Sequence, residues 1–374
     1  QSAWQLMAAS SAELLSKDCG DLWDSGKVCD DRCVAIRWGG VTLRTGQEIH
    51  WKVRAWDEAG NLGPWSSPAR FEMGVMSCAD WRAKWISAPF LRTVFPGYAP
   101  DPSPIFRRSL ELEELPAKAR IMISGLGYHY LTVNGRKVGD DVLSPLFTAY
   151  DKRVLYATYD LTPFLRKGAN ALGVMLGTGW FNCHTAEVWD FQQASWRDRV
   201  RLACQIVLHF TDGRTSTVIS DTGWKASTGP IVFDALRNGE HYDARKEIPG
   251  WDLPGFDDST WKSAEVVPAP GGILRAQTLP MKIRGRIAPR SVKKLRSGVH
   301  LVDMGRNMTG CIEFTVQAPA GAEITLRHAE KLGADGDIDQ SNINVFIRSG
   351  DCQTDRYICR GGAPETWCPR FTYH

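Results

Sequence analysis

Tyr128-His129-Tyr130-Leu131-Thr132-Val133-Asn134-Gly135 is the stretch that decides the fold class. Six residues dominated by aromatic and β-branched side chains run straight into Asn-Gly. A type I′ turn needs positive φ at both central positions, which Asn and Gly tolerate best. The pair therefore predicts a tight hairpin at 134–135. Working outward, Ile121-Met122-Ile123 reads as the preceding strand, Tyr156 to Leu161 and Ala171 to Leu176 as the following ones, and Arg201 to Phe210 as a longer apolar strand closed by Thr211-Asp212-Gly213. Turn signals recur every eight to twelve residues and helical periodicity is scarce, a rhythm of sandwiches rather than of alternating βαβ units. The expected fold class is all-β, and residues 105–275 are expected to form a jelly roll of the galactose-binding type.

The flanks extend the pattern. Before the jelly roll, Trp51-Lys52-Val53-Arg54-Ala55-Trp56 alternates, sending Trp51, Val53 and Ala55 to one face, and Arg70 to Gly74 reads as an edge strand bounded by Pro64 and Pro68. Residues 1–78 are thus expected to be a fibronectin type III-like sandwich. Ser77 to Pro104, with Pro89, Pro96, Pro102 and Pro104, reads as a linker, placed at 79–104. After Pro268-Ala269-Pro270-Gly271-Gly272 the texture turns basic around Met281 to Lys294; then Ile312 to Val316 alternates, Pro319-Ala320-Gly321 turns and Glu323 to His328 returns. Residues 276–374 are expected to be a third β-sandwich, incomplete at its C-terminal end, because Arg370 to His374 alternates without a terminating turn. Gln1 to Met7 likewise reads as a strand already under way.

The 374 residues are too many for one core and imply two or three domains. Hydrophobic residues make up 43% and charged ones 23%, the balance of a soluble globular protein. The 45 basic and 42 acidic side chains are interspersed and leave a net charge of +3, so neither nucleic acid nor a membrane surface is an expected partner. No apolar run approaches the roughly 18 residues of a membrane-spanning helix. The compartment stays open between bacterial cytoplasm, periplasm and exterior. The 10 cysteines are irregularly spaced with no zinc-type pair of CxxC motifs, and read first as buried thiols, with bridging open in an oxidising compartment.

Few patterns carry chemistry. Glu111-Leu112-Glu113-Glu114 and Asp257-Asp258 read as solvated turns. Asp335-Gly336-Asp337-Ile338-Asp339 begins like a calcium loop, but the EF-hand pattern fails at Gln340 and Phe346, leaving an acidic surface loop. Asn307-Met308-Thr309 fits a glycosylation sequon. The 8 histidines form no HExxH pair and no GxSxG turn is present, which disfavours metal and serine hydrolases. The 15 tryptophans are more suggestive, since sugar rings pack their C–H faces on aromatic rings while their hydroxyls need polar partners. Trp180 and Phe181 follow a glycine turn, with Trp189, Asp190, Trp196 and Asp198 close behind in a polar loop; sandwich rims are where ligand sites sit. Asn238-Gly239-Glu240-His241-Tyr242-Asp243-Ala244-Arg245 is a second dense run. If extended, it sets Glu240, Tyr242 and Ala244 opposite His241, Asp243 and Arg245, and reads equally as a ligand site or as an interdomain strap of ion pairs.

These blocks belong to an ordered series that resembles the bacterial-type α-L-rhamnosidase family over nearly the whole chain. The series comprises Leu22 to Val28, Tyr150 to Tyr156, Tyr159 to Thr162, Gly177 to Phe181, Gly239 to Arg245, Trp251 to Trp261, Val302 to Gly310, Arg327 to Leu332 and Pro369 to His374. The resemblance implies inverting hydrolysis of terminal α-L-rhamnosyl groups from plant glycosides or polysaccharides. It also implies a catalytic (α/α)6 barrel C-terminal to these β-domains, so no catalytic residue is assigned in the chain. Inverting enzymes hold acid and base roughly 6.5–9.5 Å apart around a water, and nothing in the sequence matches that barrel.

Some family members bind rhamnose with calcium on the jelly roll. The corresponding positions here are Asp190 or Asp198 and Asn238, although Val188 to Trp196 departs from the usual glycine-rich form; carbonyl and carboxylate oxygens could assemble a site for this hard cation. The expected carbohydrate-binding set is therefore Trp180, Trp189, Asp190, Asp198, Asn238, Glu240, Tyr242, Asp243 and Arg245. The expected partners are a rhamnose-containing glycoside or polysaccharide and the chain's own catalytic barrel. The alternative is a stand-alone carbohydrate-binding or adhesion protein built from the same modules.

Overall fold

Residues 1–92 and 101–374 are described by a computed structural model, and nearly every regular element in them is a strand. They fall into two compact units, Gln1–Trp81 and Arg82–His374. In the first, β1 (Ala3–Ala9), the short helix α1 (Ala12–Ser16), β2 (Trp23–Asp24), β3 (Glu48–Trp56) and β4 (Ala69–Glu72) build one sheet in the order β2-β1-β3-β4. The Ser11 hydroxyl accepts from the Leu14 N–H and starts α1. The proline-bounded β4 lies at the sheet edge, where a missing ladder donor costs nothing. Alternation along β3 gives direction but not burial: Trp51, Val53 and Ala55 are half-buried, whereas Lys52 is only 7% exposed. Its Nζ lies over the Trp65 ring, donates to the Leu15 carbonyl at 2.8 Å and pairs with Asp18. A long amphipathic side chain thus takes a core position by carrying its charge to a partner.

The second unit opens with β5 (Ile86–Ser87), β6 (Pro104–Leu112), β7 (Lys118–Leu126), β8 (Tyr128–Val133), β9 (Arg136–Lys137), β10 (Arg153–Asp160) and β11 (Gly168–Gly177). It continues with β12 (Arg201–His209), β13 (Thr215–Ile219), β14 (Lys225–Thr228), β15 (Ile231–Ala235), β16 (Gly239–Asp243), β17 (Lys262–Ser263), β18 (Glu265–Val266) and β19 (Ile273–Ala276). One sheet runs β18-β5-β12-β7-β10-β19 with β13 beside β12, and the other β17-β14-β6-β11-β8-β9. Between them lies the main core, with Phe106, Ile121, Ile123, Val133, Leu172, Val174, Leu202, Ile206 and Trp224 almost wholly out of solvent. Burying each such side chain contributes roughly 1.5–3 kcal/mol. The hairpin is as the sequence demands: Asn134 and Gly135 have φ of 51° and 77°, and Val133 faces Arg136.

The stretch read as a linker is largely part of this sandwich. Ile86 is fully buried and pairs with Leu202 and Val266, Ala88 and Leu91 enter the core, and β6 begins at Pro104. The prolines interrupt the ladder without removing the segment from it. Pro96 lies outside the described residues.

The remaining strands are β20 (Ser291–Arg296), β21 (Val299–Asp303), β22 (Phe314–Val316), β23 (Glu323–Arg327), β24 (Lys331–Leu332), β25 (Ile338–Asp339), β26 (Thr354–Ile358) and β27 (Glu365–Trp367). Around Met281 to Arg290 the structure is mostly irregular, and the basic strand begins only at Ser291. A four-stranded sheet in the order β15-β16-β26-β23 joins the two sequence regions, with β16 parallel to β26. A second core runs across this seam through Ile231, Tyr242, Tyr357, Trp367 and Phe371. Two glycines set its closeness. A Cβ on Gly177 would stand 2.3 Å from Phe371 Cγ; one on Gly239, at φ of 126°, would stand 2.2 Å from the Thr354 carbonyl oxygen.

Candidate functional site

The loop between β11 and β12 crosses the rim of the jelly roll and is held by a short bridge to the far side of the seam. Glu187 faces Ile347 there, with Val188 N donating to Phe346 O at 3.1 Å and Arg348 N to Ala186 O at 2.8 Å. This bridge lays Trp189, 51% exposed, in a stack on Phe346, 42% exposed, with ring centroids 5.3 Å apart and planes 26° apart. The Arg237 guanidinium, from the turn between β15 and β16, lies 4.7 Å from the Trp189 ring and 5.1 Å from that of Trp180. Its Nε donates at 3.0 Å to the buried Glu187 carboxylate, which fixes the planar cation between two indoles. Asp190 sits in the left-handed region at φ of 56°, accepts from Gln192 and Gln193, and pairs with Arg348 at 3.4 Å. Behind this ledge, Phe147 packs between Trp180, Phe191, Tyr150 and Trp196 with centroids 5.5 to 6.2 Å apart. The arrangement offers an apolar plane edged by cations and a carboxylate, which suits a sugar ring.

The expected residues divide. Trp180, Trp189 and Asp190 meet on the ledge. Asp198 instead pairs with the buried Arg201, whose other end donates to the Pro268 carbonyl. Asn238 is buried and its amide is spent: Nδ2 donates to the Ser349 and Asp351 carbonyls at 3.0 and 2.7 Å, and Oδ1 accepts from Thr185. Glu240 and Tyr242 point from β16 into the seam core, and Asp243 caps the following turn while paired with Arg245. The run therefore provides a shared central strand with one local ion pair. Arg237, Phe346 and Arg348 were missed. Arg237 stands alone as a cation before Asn238 and carries no signal of its own, and the other two lie more than 150 residues from Trp189 in sequence.

Beneath the ledge is a cluster of buried acids. Glu240 is fully buried; Oε2 accepts from the backbone N–H groups of Arg370 and Phe371 at 2.9 and 3.0 Å, and Oε1 has no partner. Burial pushes its carboxyl up to about 8, against the opposing pull of Arg370 and the two amides. Asp234 is likewise raised by burial although Ser103 and Thr178 donate to it. Burial also works against charge on Asp355, but hydrogen bonds involving His328 and His374 outweigh it and hold that carboxyl below its ordinary range. His328 Nε2 and His374 Nε2 stand 3.2 and 3.3 Å from Asp355 Oδ2.

Those three residues are the group among the described residues whose ligand atoms could share a metal ion, lying within 4.8 Å of one another. Two imidazoles suit a transition metal and not calcium. Of the positions expected to take calcium, Asn238 spends its amide on two carbonyls and Thr185, Asp198 faces Arg201 and Asp190 faces Arg348. At 335–339 the acids are likewise divided, Asp337 between Arg296 and Arg327 and Asp339 with Lys331. Asp258, read as part of a solvated turn, ion-pairs with the buried Arg107.

One surface groove holds no carboxylate pair. That groove, about 400 Å³, is lined by Leu146, Arg153, Leu155, Arg275, Ala276, Gln277, Thr278 and Leu279, without an acid.

Three domain families match in order. "Rha78A-like, N-terminal immunoglobulin domain" covers residues 1–77, "Alpha-L-rhamnosidase N-terminal domain" 114–284, and "Bacterial alpha-L-rhamnosidase concanavalin-like domain" 293–374. The chain belongs to the bacterial α-L-rhamnosidase family. It is 34% identical to an α-L-rhamnosidase of Formosa agariphila over all of its own length and 41% of that protein's. A Streptomyces avermitilis relative is 28% identical, with 51% of its length covered. Among solved structures, an α-L-rhamnosidase from Dictyoglumus thermophilum superposes on the whole chain with a TM-score of 0.89 at 37% identity, over 42% of that chain. The Streptomyces avermitilis enzyme complexed with L-rhamnose superposes with a TM-score of 0.84 at 28% identity, over 51% of its chain. The chain spans about half or less of the length of these family relatives. Its successive β-sandwich architecture is that of the family's immunoglobulin, N-terminal and concanavalin-like domains. Among the described residues no helix is long and apolar enough to cross a membrane.

Proposed function

We propose that this chain forms the non-catalytic β-domains of an α-L-rhamnosidase, and that the Trp189–Phe346 ledge of its jelly roll binds carbohydrate. In this reading the enzyme releases terminal α-L-rhamnose from plant glycosides or polysaccharides with inversion, and its acid and base stand in an (α/α)6 barrel elsewhere in the same protein. The carrying observation is the exposed, stacked aromatic surface beside Arg237, Asp190 and Arg348. Support for rhamnose as the ligand comes from the Streptomyces avermitilis relative, whose structure holds L-rhamnose. Buried acids locked by amides, hydroxyls and imidazoles support a structural role for these domains.

Binding at the ledge needs no metal in this reading, because its two carboxylates are already neutralised by arginines. Isothermal titration of the chain with L-rhamnose tests it, run in EDTA and again with calcium. Saturable heat is expected, equal in both buffers, and weakened about tenfold or more in Trp189→Ala, the equivalent of roughly 1.4 kcal/mol of stacking. No heat at millimolar sugar, or unchanged affinity in Trp189→Ala, contradicts ledge binding; a calcium requirement contradicts the metal-free form.

A further inference from the structure

Cys311 and Cys368 are 57 residues apart in sequence, yet their Sγ atoms lie 3.3 Å apart. The strand ends that carry them are held at sheet spacing on both sides. Phe314 in β22 faces Trp367 in β27, and beyond the cysteines Gly310 and His374 exchange two backbone hydrogen bonds of 2.8 Å. The Phe314–Trp367 pairing sets Cys368 opposite Glu313 and Cys311 two positions further along, so the two cysteines meet diagonally across the strand pair. The sulfurs are already in contact, and closing them to about 2.05 Å is an approach of about 1.3 Å. Among the described residues no other two cysteine sulfurs are in hydrogen-bond contact, and Cys183, Cys204, Cys352 and Cys359 are buried.

We propose that Cys311 and Cys368 are a redox-responsive pair that closes to an intramolecular disulfide, stapling the lead into β22 to the exit of β27. The oxidant is a small-molecule disulfide such as oxidised glutathione. The Cys311 thiolate attacks one of its sulfurs, breaking that S–S bond and releasing one thiolate. Cys368 then loses its proton and attacks Cys311 Sγ in the mixed disulfide, expelling the second thiolate. Two protein thiols are oxidised to one disulfide, the reagent is reduced to two thiols, and the two protons end on the released sulfurs.

Position and charge favour that order. Cys311 is exposed to reagents, while Cys368 is partly covered. The Cys368 S–H donates to Cys311 and brings its thiol down to about 7, and the Arg286 guanidinium lies near both sulfurs. Once the first proton has gone, the second is held more tightly, so Cys368 is raised.

The test is to expose the purified chain to oxidised glutathione, block remaining thiols, digest with trypsin and analyse by mass spectrometry without reduction. The peptides 307–327 and 361–370 each carry a single cysteine. A cross-linked species joining them is expected, lost on reduction and absent from Cys311→Ser. The thermal midpoint of the oxidised chain should fall on reduction, with no such shift in the Cys311→Ser, Cys368→Ser double variant. Recovery of the two peptides separately, each alkylated or glutathionylated, or bridged to other cysteines, overturns the proposal.

Discussion

Glu240→Gln should make the fold more tolerant of alkali. Glu240 sits at the junction of β16, β26 and the Phe371 segment, with burial pushing its carboxyl from an ordinary 4.5 to about 8. A folded value above the unfolded one means that the neutral form is favoured in the fold. Its contribution is complete below about pH 4.5 and is lost as pH rises through about 8. At about 1.4 kcal/mol per tenfold, this group alone should cost the wild type on the order of 3 kcal/mol between about pH 5.5 and about pH 9.

Gln cannot ionise and keeps an oxygen for the Arg370 and Phe371 amides, but its two new N–H groups meet the place where Oε1 has no partner. A constant penalty of about 1–2 kcal/mol is therefore expected at every pH. Denaturant unfolding of both proteins, followed by tryptophan fluorescence at the two pH values, isolates the term, because all other titrations cancel in the difference. The variant should gain on the wild type by about 3 kcal/mol on going to the higher pH. If the variant instead loses ground at high pH, Glu240 is an ionised partner of Arg370, and the reasoning fails.

Trp224 is fully enclosed between the two jelly-roll sheets, so Trp224→Ala should destabilise by about 3–5 kcal/mol; a loss below about 1 kcal/mol in chemical denaturation would show that the sheets do not close on it. Gly177→Ala should drive a methyl group into Phe371 and lower stability by about 1–3 kcal/mol or more, read as a drop in thermal midpoint. An unchanged midpoint would mean that the seam is looser than described.

Local patterns that need only their own neighbours were legible in the sequence. Asn134-Gly135 marked a hairpin because positive φ is a property of those two residues, and the flanking alternation marked β8 and its neighbours. Patterns settled by distant contacts were not. Lys52 looked like the polar side of β3 until Asp18 and the Leu15 carbonyl supplied its partners. Ile86 to Leu91 looked like linker because prolines surround a strand only two residues long, whose burial is decided by Leu202 and Val266. The run 239–245 read equally as a ligand site or a strap because it is polar; the structure meets that polarity with the Arg370 and Phe371 amides on Glu240, the Asp355 carboxylate on the Glu240 N–H and the local Asp243–Arg245 pair. On the ledge, Trp180, Trp189 and Asp190 could be guessed from an aromatic loop, but Phe346 and Arg348 join them only through a bridge across the seam.

The division of labour proposed here is tested most directly by turnover. Chain 1–374, purified to homogeneity, should release no chromophore from an aryl α-L-rhamnoside. The buried acids Asp234, Glu240 and Asp355 are held by hydroxyls, amides and imidazoles, and the groove lined by Leu146, Arg153 and Gln277 holds no acid. Hydrolysis that follows the protein through purification, and disappears when Asp234, Glu240 or Asp355 is replaced by its amide while the fold survives, would place the chemistry inside these β-domains and contradict the account.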